Sequence, residues 1–476
     1  TQVAITLGGN LTGTDNTKCI SVFSEKILFN TANNVRTNIG FSISKTEFNH
    51  QDGGTIEING YEGTAFSAND STVSLHDFVV VNAKYGLSGK NTVWVVRDSN
   101  FSNNEYAADL SGGSLELKNV GISNNSFGGL SLGRNTALTG ETLSFTRNIA
   151  GQDDGVYCGG AIHTYADLRL NSVDFISNAA TISKASSGPT IIYSIAWGGA
   201  VYCSGGDMSI TSANFDGNSA TAFASGSCVV SAYAWGGAVC CWNGDMSITS
   251  ATFSLNSAGV MAPQGGISLA WAYGGAICAQ SSIVNLTDTK FIENSAFVNA
   301  TSCATARGGA VYQYDAEASI SRAVFERNCV GAFAMAIGGA IYALFSIVNL
   351  TDTKFSGNSA IAQATAYGSA TACAMGGAIY LNGGKLNYYV SEGKSFINTG
   401  NSAKASTART SSSAELGGFL YLANNSQATF DISGELTIGD STGVDSIAGD
   451  SDCSISKNGA GVWTVNSDVS QFAGNW

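Results

Sequence analysis

The stretch GGAVCCWNGDMSITSATFSLNSA, residues 236–258, contains the pattern that determines the fold of this chain. It begins with a Gly-Gly-Ala-(Ile/Val) tetrad and ends just after a Phe-x-x-Asn motif, formed here by Phe253 and Asn256. In the near-duplicate segment GDMSITSANFDGNSA, residues 206–220, Met208 and Ile210 are two residues apart, and so are Ala213 and Phe215, as in half-buried strands. The segment therefore predicts β-strands with one buried face.

Both motifs recur along the chain. The tetrads begin at Gly159, Gly198, Gly236, Gly274, Gly308, Gly338 and Gly376, with a degenerate copy at Gly417. The partner phenylalanines are Phe175, Phe215, Phe253, Phe291, Phe325 and Phe355, and the asparagines three residues later are Asn178, Asn218, Asn256, Asn294, Asn328 and Asn358. A stretched pair, Phe396 and Asn401, follows them.

The spacing of the motifs predicts the architecture. The distance from tetrad to Phe is 16 or 17 residues in the six regular pairs, whereas successive tetrads are 30 to 41 residues apart. Each repeat thus has one part of nearly constant length and one part of variable length. This pattern predicts a stacked solenoid, in which equivalent residues of successive coils form columns.

The motif residues suit the corners of such coils. Glycine adopts positive φ and permits close approach of backbones. Asparagine tolerates the left-handed region, and stacked asparagines form amide ladders. We therefore expect the Phe residues of the six regular pairs, Phe175 to Phe355, to form an internal column, and the Asn three residues after each of them to form a parallel column at the corner.

The repeats divide the chain into three parts of one continuous solenoid. Residues 1–150 have looser coils, residues 151–400 hold the strict repeats with inserts, and residues 401–476 return to plainer coils. The inserts, such as SATAFASGSCVVSAYAW before Gly236, alternate small and larger residues. This alternation predicts added strands that stack into a lateral sheet, while surface loops remain the alternative.

Composition supports an all-β protein. The chain has 58 glycines but only 2 prolines, which suits long hydrogen-bonded ladders. The net charge of −13 with no basic cluster argues against nucleic-acid binding. No apolar run approaches the roughly 20 residues that span a bilayer, and no leader pattern opens the sequence.

The GGA(I/V) and Phe-x-x-Asn pairing resembles the repeat of chlamydial polymorphic membrane proteins and related autotransporter passengers. The tail, residues 436–450 and 454–476, is similar to the autotransporter-associated β-strand repeat. The residues on the motif positions are Lys457, Gly459, Gly461, Trp463, Val465, Phe472 and Gly474. The resemblance implies a right-handed parallel β-helix that is secreted or displayed on a cell surface. Unlike those proteins, this sequence has no terminal run of amphipathic strands that would form a membrane barrel.

Eleven cysteines are unusual for that class. Cys203 and Cys241 both lie five residues after the first glycine of their tetrads, and Cys228 lies in an insert. Disulfides between neighbouring coils, such as Cys228 with Cys203, Cys240 or Cys241, are one interpretation. Buried thiols that fill space are the other.

Candidate catalytic residues are scarce. GQDDG, residues 151–155, resembles the paired-aspartate motif of polygalacturonases, with Asp153 and Asp154 as acid and base. The other motifs of those enzymes are absent, and three separated histidines and no paired Cys-x-x-Cys predict no metal site. We expect no enzyme activity, no cofactor and no metal, with a polysaccharide-active enzyme as the less favoured alternative.

Aromatic residues recur beside the tetrads. Trp197 and Trp235 directly precede Gly-Gly pairs, and Trp271 lies nearby. A tyrosine follows the tetrad's first glycine by four positions in most coils, at Tyr202, Tyr312, Tyr342, Tyr380 and Tyr421. Stacked rings indicate packing ladders or, alternatively, a strip that binds sugar rings or a protein receptor.

The strand pattern at both ends of the sequence favours head-to-tail association of identical chains into filaments. The alternative is a monomeric adhesin-like passenger fragment.

Overall fold

The computed structural model describes residues 2–7, 19–22, 26–31, 35–50, 54–150, 152–153, 156–186, 192–226, 230–262, 268–300, 304–364, 372–407, 413–440 and 444–476. Every regular element in these ranges is a β-strand. Among the same residues, no helix is long and apolar enough to cross a bilayer. The stacked parallel strands confirm the predicted all-β, parallel β-helix solenoid with lateral strands.

The strands of the first 150 residues are β1 (Gln2–Leu7), β2 (Cys19–Val22), β3 (Lys26–Thr31), β4 (Val35–Thr37), β5 (Gly40–Ser44), β6 (Glu47–His50), β7 (Ile56–Asn59), β8 (Thr64–Asn69), β9 (Thr72–His76), β10 (Phe78–Val81), β11 (Tyr85–Ser102), β12 (Tyr106–Ser123), β13 (Gly128–Leu132) and β14 (Thr136–Thr146).

The next strands, which include the first strict repeats, are β15 (Gln152–Asp153), β16 (Val156–Cys158), β17 (Ile162–Thr164), β18 (Leu168–Ile176), β19 (Ala179–Ser186), β20 (Ile192–Trp197), β21 (Val201–Ser204), β22 (Met208–Asp216), β23 (Ser219–Gly226), β24 (Val230–Trp235), β25 (Val239–Trp242), β26 (Met246–Thr249), β27 (Thr252–Ser254), β28 (Ser257–Ala262), β29 (Ser268–Tyr273), β30 (Ile277–Gln280), β31 (Ile283–Thr287), β32 (Lys290–Ile292), β33 (Ser295–Ala300) and β34 (Ala304–Arg307).

The remaining strands are β35 (Val311–Tyr314), β36 (Glu317–Ser321), β37 (Val324–Glu326), β38 (Cys329–Ala332), β39 (Met335–Ile337), β40 (Ile341–Leu344), β41 (Ile347–Thr351), β42 (Lys354–Ser356), β43 (Ser359–Ala364), β44 (Ala372–Met375), β45 (Ile379–Asn382), β46 (Lys385–Val390), β47 (Ser395–Asn398), β48 (Ser402–Thr407), β49 (Ser413–Leu416), β50 (Leu420–Ala423), β51 (Gln427–Ile432), β52 (Glu435–Ile438), β53 (Ile447–Gly449), β54 (Ser454–Asn458) and β55 (Val462–Val465).

The chain forms two compact units, one of residues 1–152, 158–179 and 200–213, the other of residues 153–157, 180–199 and 214–476. In the first unit, long strands stack in parallel, with Trp94 of β11 opposite Leu115 of β12 and Leu143 of β14 opposite Val173 of β18. An amide ladder runs beside them: Asn125 Nδ2 donates to Asn148 Oδ1 at 2.8 Å, and Asn148 Nδ2 donates to Asn178 Oδ1 at 2.9 Å.

In the second unit, a regular coil contains five strands. The coil that begins at Gly274 has β30, β31 and β32 on the helix body, then the lateral strands β33 and β34. The Gly-Gly corner that starts each coil needs both glycines. Gly236 has φ of 64°, and a Cβ on Gly237 would lie 2.0 Å from the carbonyl oxygen of Gly275 in the next coil.

A phenylalanine column fills the core of the second unit. Phe215, Phe253, Phe291, Phe325 and Phe355 are completely buried. Their rings stack with centroids 4.5 to 4.9 Å apart and interplanar angles of 3° to 6°. In the first unit, Phe145 and Phe175 stack in the same way at 5.1 Å.

The asparagines of the second unit form a ladder at the adjoining corner, as the sequence predicts. In this ladder, Asn218 Nδ2 donates to Asn256 Oδ1 at 3.0 Å, and the backbone N–H of Asn218 donates to the same oxygen at 3.0 Å. Asn256 Nδ2 in turn donates to Asn294 Oδ1 at 2.9 Å and to the carbonyl oxygen of Phe215 at 2.9 Å. The completely buried members of the ladder are Asn218, Asn256, Asn294, Asn328, Asn358 and Asn401.

The ladder ends at Asp445. The carboxylate of Asp445 accepts from Asn401 Nδ2 at 2.9 Å and from the backbone of Gly400 at 2.8 Å. A carboxylate has no donor with which to continue the ladder.

The inserts form two lateral sheets that pack on each other. The first lateral sheet contains β23, β28, β33, β38, β43 and β48. The second lateral sheet contains β20, β24, β29, β34, β39, β44 and β49. Their facing positions carry small residues with no exposed surface, such as Ala220, Ala258, Ala234 and Ala272. Alternation of alanine with larger outward residues lets the two sheets approach closely.

The stretched pair differs from the six regular pairs. Phe396 does not continue the phenylalanine column, because its side chain is part-exposed in β47, which pairs with β52 in a separate three-stranded sheet. The ring of Phe419 contacts Phe355 instead, with centroids 6.1 Å apart. The longer spacing before Phe396 moves it out of the core register, whereas Asn401 still accepts from Asn358 Nδ2 at 2.8 Å.

Candidate functional site

A ladder of tyrosines lies where the helix body of the second unit meets the lateral strands. Tyr312, Tyr342, Tyr380 and Tyr421 occupy the same register on β35, β40, β45 and β50. Their rings are nearly parallel, with centroids 5.1 to 5.4 Å apart. Exposure of 2% to 9% shows that this tyrosine ladder is a packing feature.

A second column, on β24, β29 and β34, faces the ladder. Trp235, Tyr273 and Arg307 lie in register and directly precede their Gly-Gly corners. The ring of Tyr273 is 4.6 Å from that of Tyr312, and Trp235 is 6.2 Å from the same ring. We call these four residues, with Tyr342, the aromatic seam. It attaches the lateral strands to the helix body.

Arg307 is the one cation of the seam. Its guanidinium carbon lies 5.6 Å from the ring centroid of Tyr273 and 5.1 Å from that of Tyr342, within the range of cation–π attraction. Burial raises the pKa of Tyr273 and of Tyr342, so both hydroxyls stay neutral at physiological pH. Among the described residues, no carboxylate forms an ion pair with Arg307, and the rings therefore supply its main electrostatic partners.

Other aromatic side chains of the lateral sheet reach solvent. Tyr233 and Trp271 are part-exposed and stack at 4.8 Å with an interplanar angle of 14°. Tyr193, on the neighbouring strand, is 54% exposed. Of the aromatic residues noted in the sequence, the tyrosines after the tetrads are buried, whereas Trp197, Trp235 and Trp271 are part-exposed. Tyr193 and Tyr233, which sequence analysis did not single out, add to the rings that a ligand can contact.

The first lateral sheet has a depression of about 260 Å³ on its outer face. Its lining includes Phe297, Gly331, Phe333 and Ile361, with the amides of Asn299 and Gln363. Sequence analysis did not single out these residues. Aligning the coils by their asparagines would have shown glycine at position 331 where neighbouring coils carry Phe297 and Ile361.

The cysteines whose side chains are described are mostly buried, and no disulfide joins two of them. Cys203 Sγ donates to the carbonyl oxygen of Gly206, and Cys241 Sγ donates equivalently to Gly244, both at 3.2 Å. Cys240 lies opposite Cys278 in the next coil. A hydrogen bond with the Cys278 thiol, together with burial, raises the pKa of Cys240. Cys228 lies outside the described residues, so its pairing with Cys203, Cys240 or Cys241 stays a prediction.

Charged groups form surface pairs. Arg322 Nε and Nη2 both donate to the Asp288 carboxylate at 2.7 Å, and these bonds lower the pKa of Asp288. Within the described part of the chain, no group of three or more His, Cys, Asp or Glu residues could hold a metal ion. Asp154 and the side chain of Asp153 lie outside that part.

The repeat residues form the scaffold beneath these surfaces. The first glycines of the tetrads, from Gly159 to Gly376, have φ between 58° and 70°. The partner Phe and Asn side chains, from Phe175 and Asn178 to Phe355 and Asn358, are buried and make the columns described above. They set the spacing of the coils and leave outward positions of the lateral sheets accessible to solvent.

Comparison with known proteins gives one partial similarity. A stretch of 182 residues, 35% of this chain, is 31% identical to the probable autotransporter YfaL of Escherichia coli (strain K12) and covers 14% of that protein. The chain therefore spans far less than two thirds of this relative. No family model matches the chain, and no solved structure matches it.

Proposed function

We propose that this chain is a non-enzymatic β-helix of the passenger type, secreted or displayed at a cell surface, where it acts as an adhesin-like binding scaffold. The observation that carries the proposal is the similarity of 182 residues to a probable autotransporter. The parallel coils support it, because stacked repeats place equivalent outward residues in register.

Surface display has a direct test. Antibodies against the purified chain should label intact, unpermeabilised cells of the source organism, or should detect the chain in the culture supernatant. An antibody against a cytoplasmic enzyme is the control for intact membranes. Labelling that appears only after permeabilisation would refute an extracellular location.

The proposed absence of catalysis rests on the sequence, in which the Asn-Thr-Asp, Gly-His-Gly and Arg-x-Lys motifs that accompany a paired aspartate in polygalacturonases are absent. Two of the described acids are also held in structural contacts. Asp288 is engaged by Arg322, and Asp445 is buried at the end of the asparagine ladder, so neither is free to exchange protons with a substrate. Purified chain should release no reducing ends or unsaturated products from a panel of polysaccharides. Turnover that disappears in the Asp153→Asn, Asp154→Asn double variant would establish the enzyme alternative.

A binding role is supported by the part-exposed rings of Tyr233 and Trp271 and by the 54% exposed ring of Tyr193. Such rings provide contact area for sugars or proteins.

Head-to-tail association of copies stays a proposal from the strand pattern. Sedimentation velocity of the purified chain at neutral pH should show species that grow with concentration, and a constant monomer would contradict it.

A further inference from the structure

Gly331 interrupts a column of outward side chains on the first lateral sheet. In register along this column are Gly259, Phe297, Gly331 and Ile361 on β28, β33, β38 and β43. The ring of Phe297 leans toward Gly259, since a Cβ built on Gly259 would lie 2.3 Å from Phe297 Cζ. A Cβ on Gly331 would meet nothing within 4 Å. The space above Gly331 is therefore open, with the Phe297 ring on one side and Ile361 on the other.

The chemistry around this space is specific. Phe333 adds a second part-exposed ring, and the exposed amides of Asn299 and Gln363 belong to the coils on either side of Gly331. None of the residues that line the depression is charged, although the chain as a whole carries a net charge of −13. Aromatic rings cover the apolar face of a sugar, and primary amides both donate to and accept from its hydroxyls.

We propose that the depression above Gly331 is a subsite for one neutral pyranose ring of a glycan. The uncharged lining complements an uncharged ligand, whereas an acidic sugar would find no cation there. A volume of about 260 Å³ lies below the range typical of drug-sized ligands and suits a single sugar ring. The inference rests on the proposed binding role and deepens it by naming a site and a ligand class.

The test uses the purified full chain and a panel of methyl glycosides of neutral hexoses, with methyl glucuronide as the acidic comparison. Saturation-transfer difference NMR should detect at least one neutral glycoside, with a Kd on the order of 1 mM for so small a ligand. Methyl glucuronide should bind at least tenfold more weakly.

Gly331→Leu fills the space and should weaken binding at least tenfold. Gly331 lacks the positive φ that would strain a side chain, so the variant should fold. The matched control is Thr221→Leu, which adds the same side chain at the equivalent register position of β23 and should leave binding unchanged. Asn299→Ala and Gln363→Ala, both at exposed positions, should each weaken binding severalfold.

Three results would overturn the proposal. The first is that no neutral glycoside binds even at a ligand concentration 50-fold above the expected Kd, on the order of 50 mM. The second is that Gly331→Leu binds the glycosides as the unmodified chain does, and the third is that N-acetyl-leucinamide binds while every sugar fails. The last result would assign the depression to an apolar peptide side chain. These outcomes are independent of the cell-labelling experiment, so the subsite can fail while surface display holds.

Discussion

Replacing Asn294 by alanine tests whether the amide ladder stabilises the coils. Asn294 Oδ1 accepts from the backbone of Asn256 at 3.1 Å and from Asn256 Nδ2 at 2.9 Å. Its own Nδ2 donates to the carbonyl of Phe253 at 2.9 Å and to Asn328 Oδ1 at 3.0 Å. The substitution removes all four bonds from a fully buried site. At about 1 kcal/mol for each bond, the local coil should lose about 4 kcal/mol.

Hydrogen exchange followed by mass spectrometry is the appropriate assay, because neighbouring coils of a solenoid open locally. A loss of about 4 kcal/mol corresponds to roughly a thousandfold faster exchange of the amides near Asn256 and Asn294. The control is Asn285→Ala, an exposed amide in the same coil, which should change exchange by less than about threefold. Equal exchange in the two variants would refute the reasoning.

Asn294→Asp separates geometry from hydrogen bonding. The aspartate keeps one acceptor but places an oxygen opposite Phe253 O and Asn328 Oδ1, which are both acceptors. Burial raises the pKa of such a carboxyl, so its protonated form should be the one that the fold tolerates. The variant should be less stable than Asn294→Ala at neutral pH and should recover as the pH falls. Instability that does not change with pH would contradict this explanation.

Four further predictions concern single sites. Burial raises the pKa of Asp445. The stability linked to this group is therefore fully present below the ordinary carboxyl pKa and is lost as pH rises through the pKa of the folded state. The melting temperature of the unmodified chain, relative to that of Asp445→Asn, should rise on acidification, and a difference independent of pH would contradict this. Gly237→Ala should lower stability by at least about 3 kcal/mol in thermal melts because its Cβ would meet the backbone of the next coil, whereas Gly331→Ala should change it by less than about 1 kcal/mol. Arg307→Met should lower the local stability by about 1–3 kcal/mol, because its cation–π contacts are lost. Hydrogen exchange in β34 and β35 should become faster, and unchanged exchange would refute this. Cys240, whose thiol is buried with a raised pKa, should resist iodoacetamide at pH 8 until the chain is denatured, and rapid native alkylation would show that the site is open.

Sequence and structure agree more closely in the core than at the surface. The internal phenylalanines and corner asparagines were predictable because their positions follow the fixed part of the repeat. Phe396, which follows its tetrad three residues later than the regular phenylalanines do, lies in another sheet. The lateral strands were predictable from alternation, but alternation alone could not show that their alanine faces pack against each other.

Arg307 and Gly331 illustrate what sequence reasoning missed. Arg307 occupies the position before Gly-Gly that Trp235 and Tyr273 fill in other coils, so an alignment of the coils marks it as unusual. Its role still depends on Tyr342, which lies two coils further along the chain. Gly331 looks like any strand glycine until the ring of Phe297 is placed over Gly259.

The sequence by itself determined the parallel β-helix, its corners and its buried columns, because glycine and asparagine favour particular backbone conformations and two-residue alternation selects the buried face. Only the tertiary structure decided where the aromatic seam forms and where the depression opens. The depression combines side chains from three successive coils and the aromatic seam from five. Their shape depends on how each ring leans toward its neighbours, a property that no single repeat encodes.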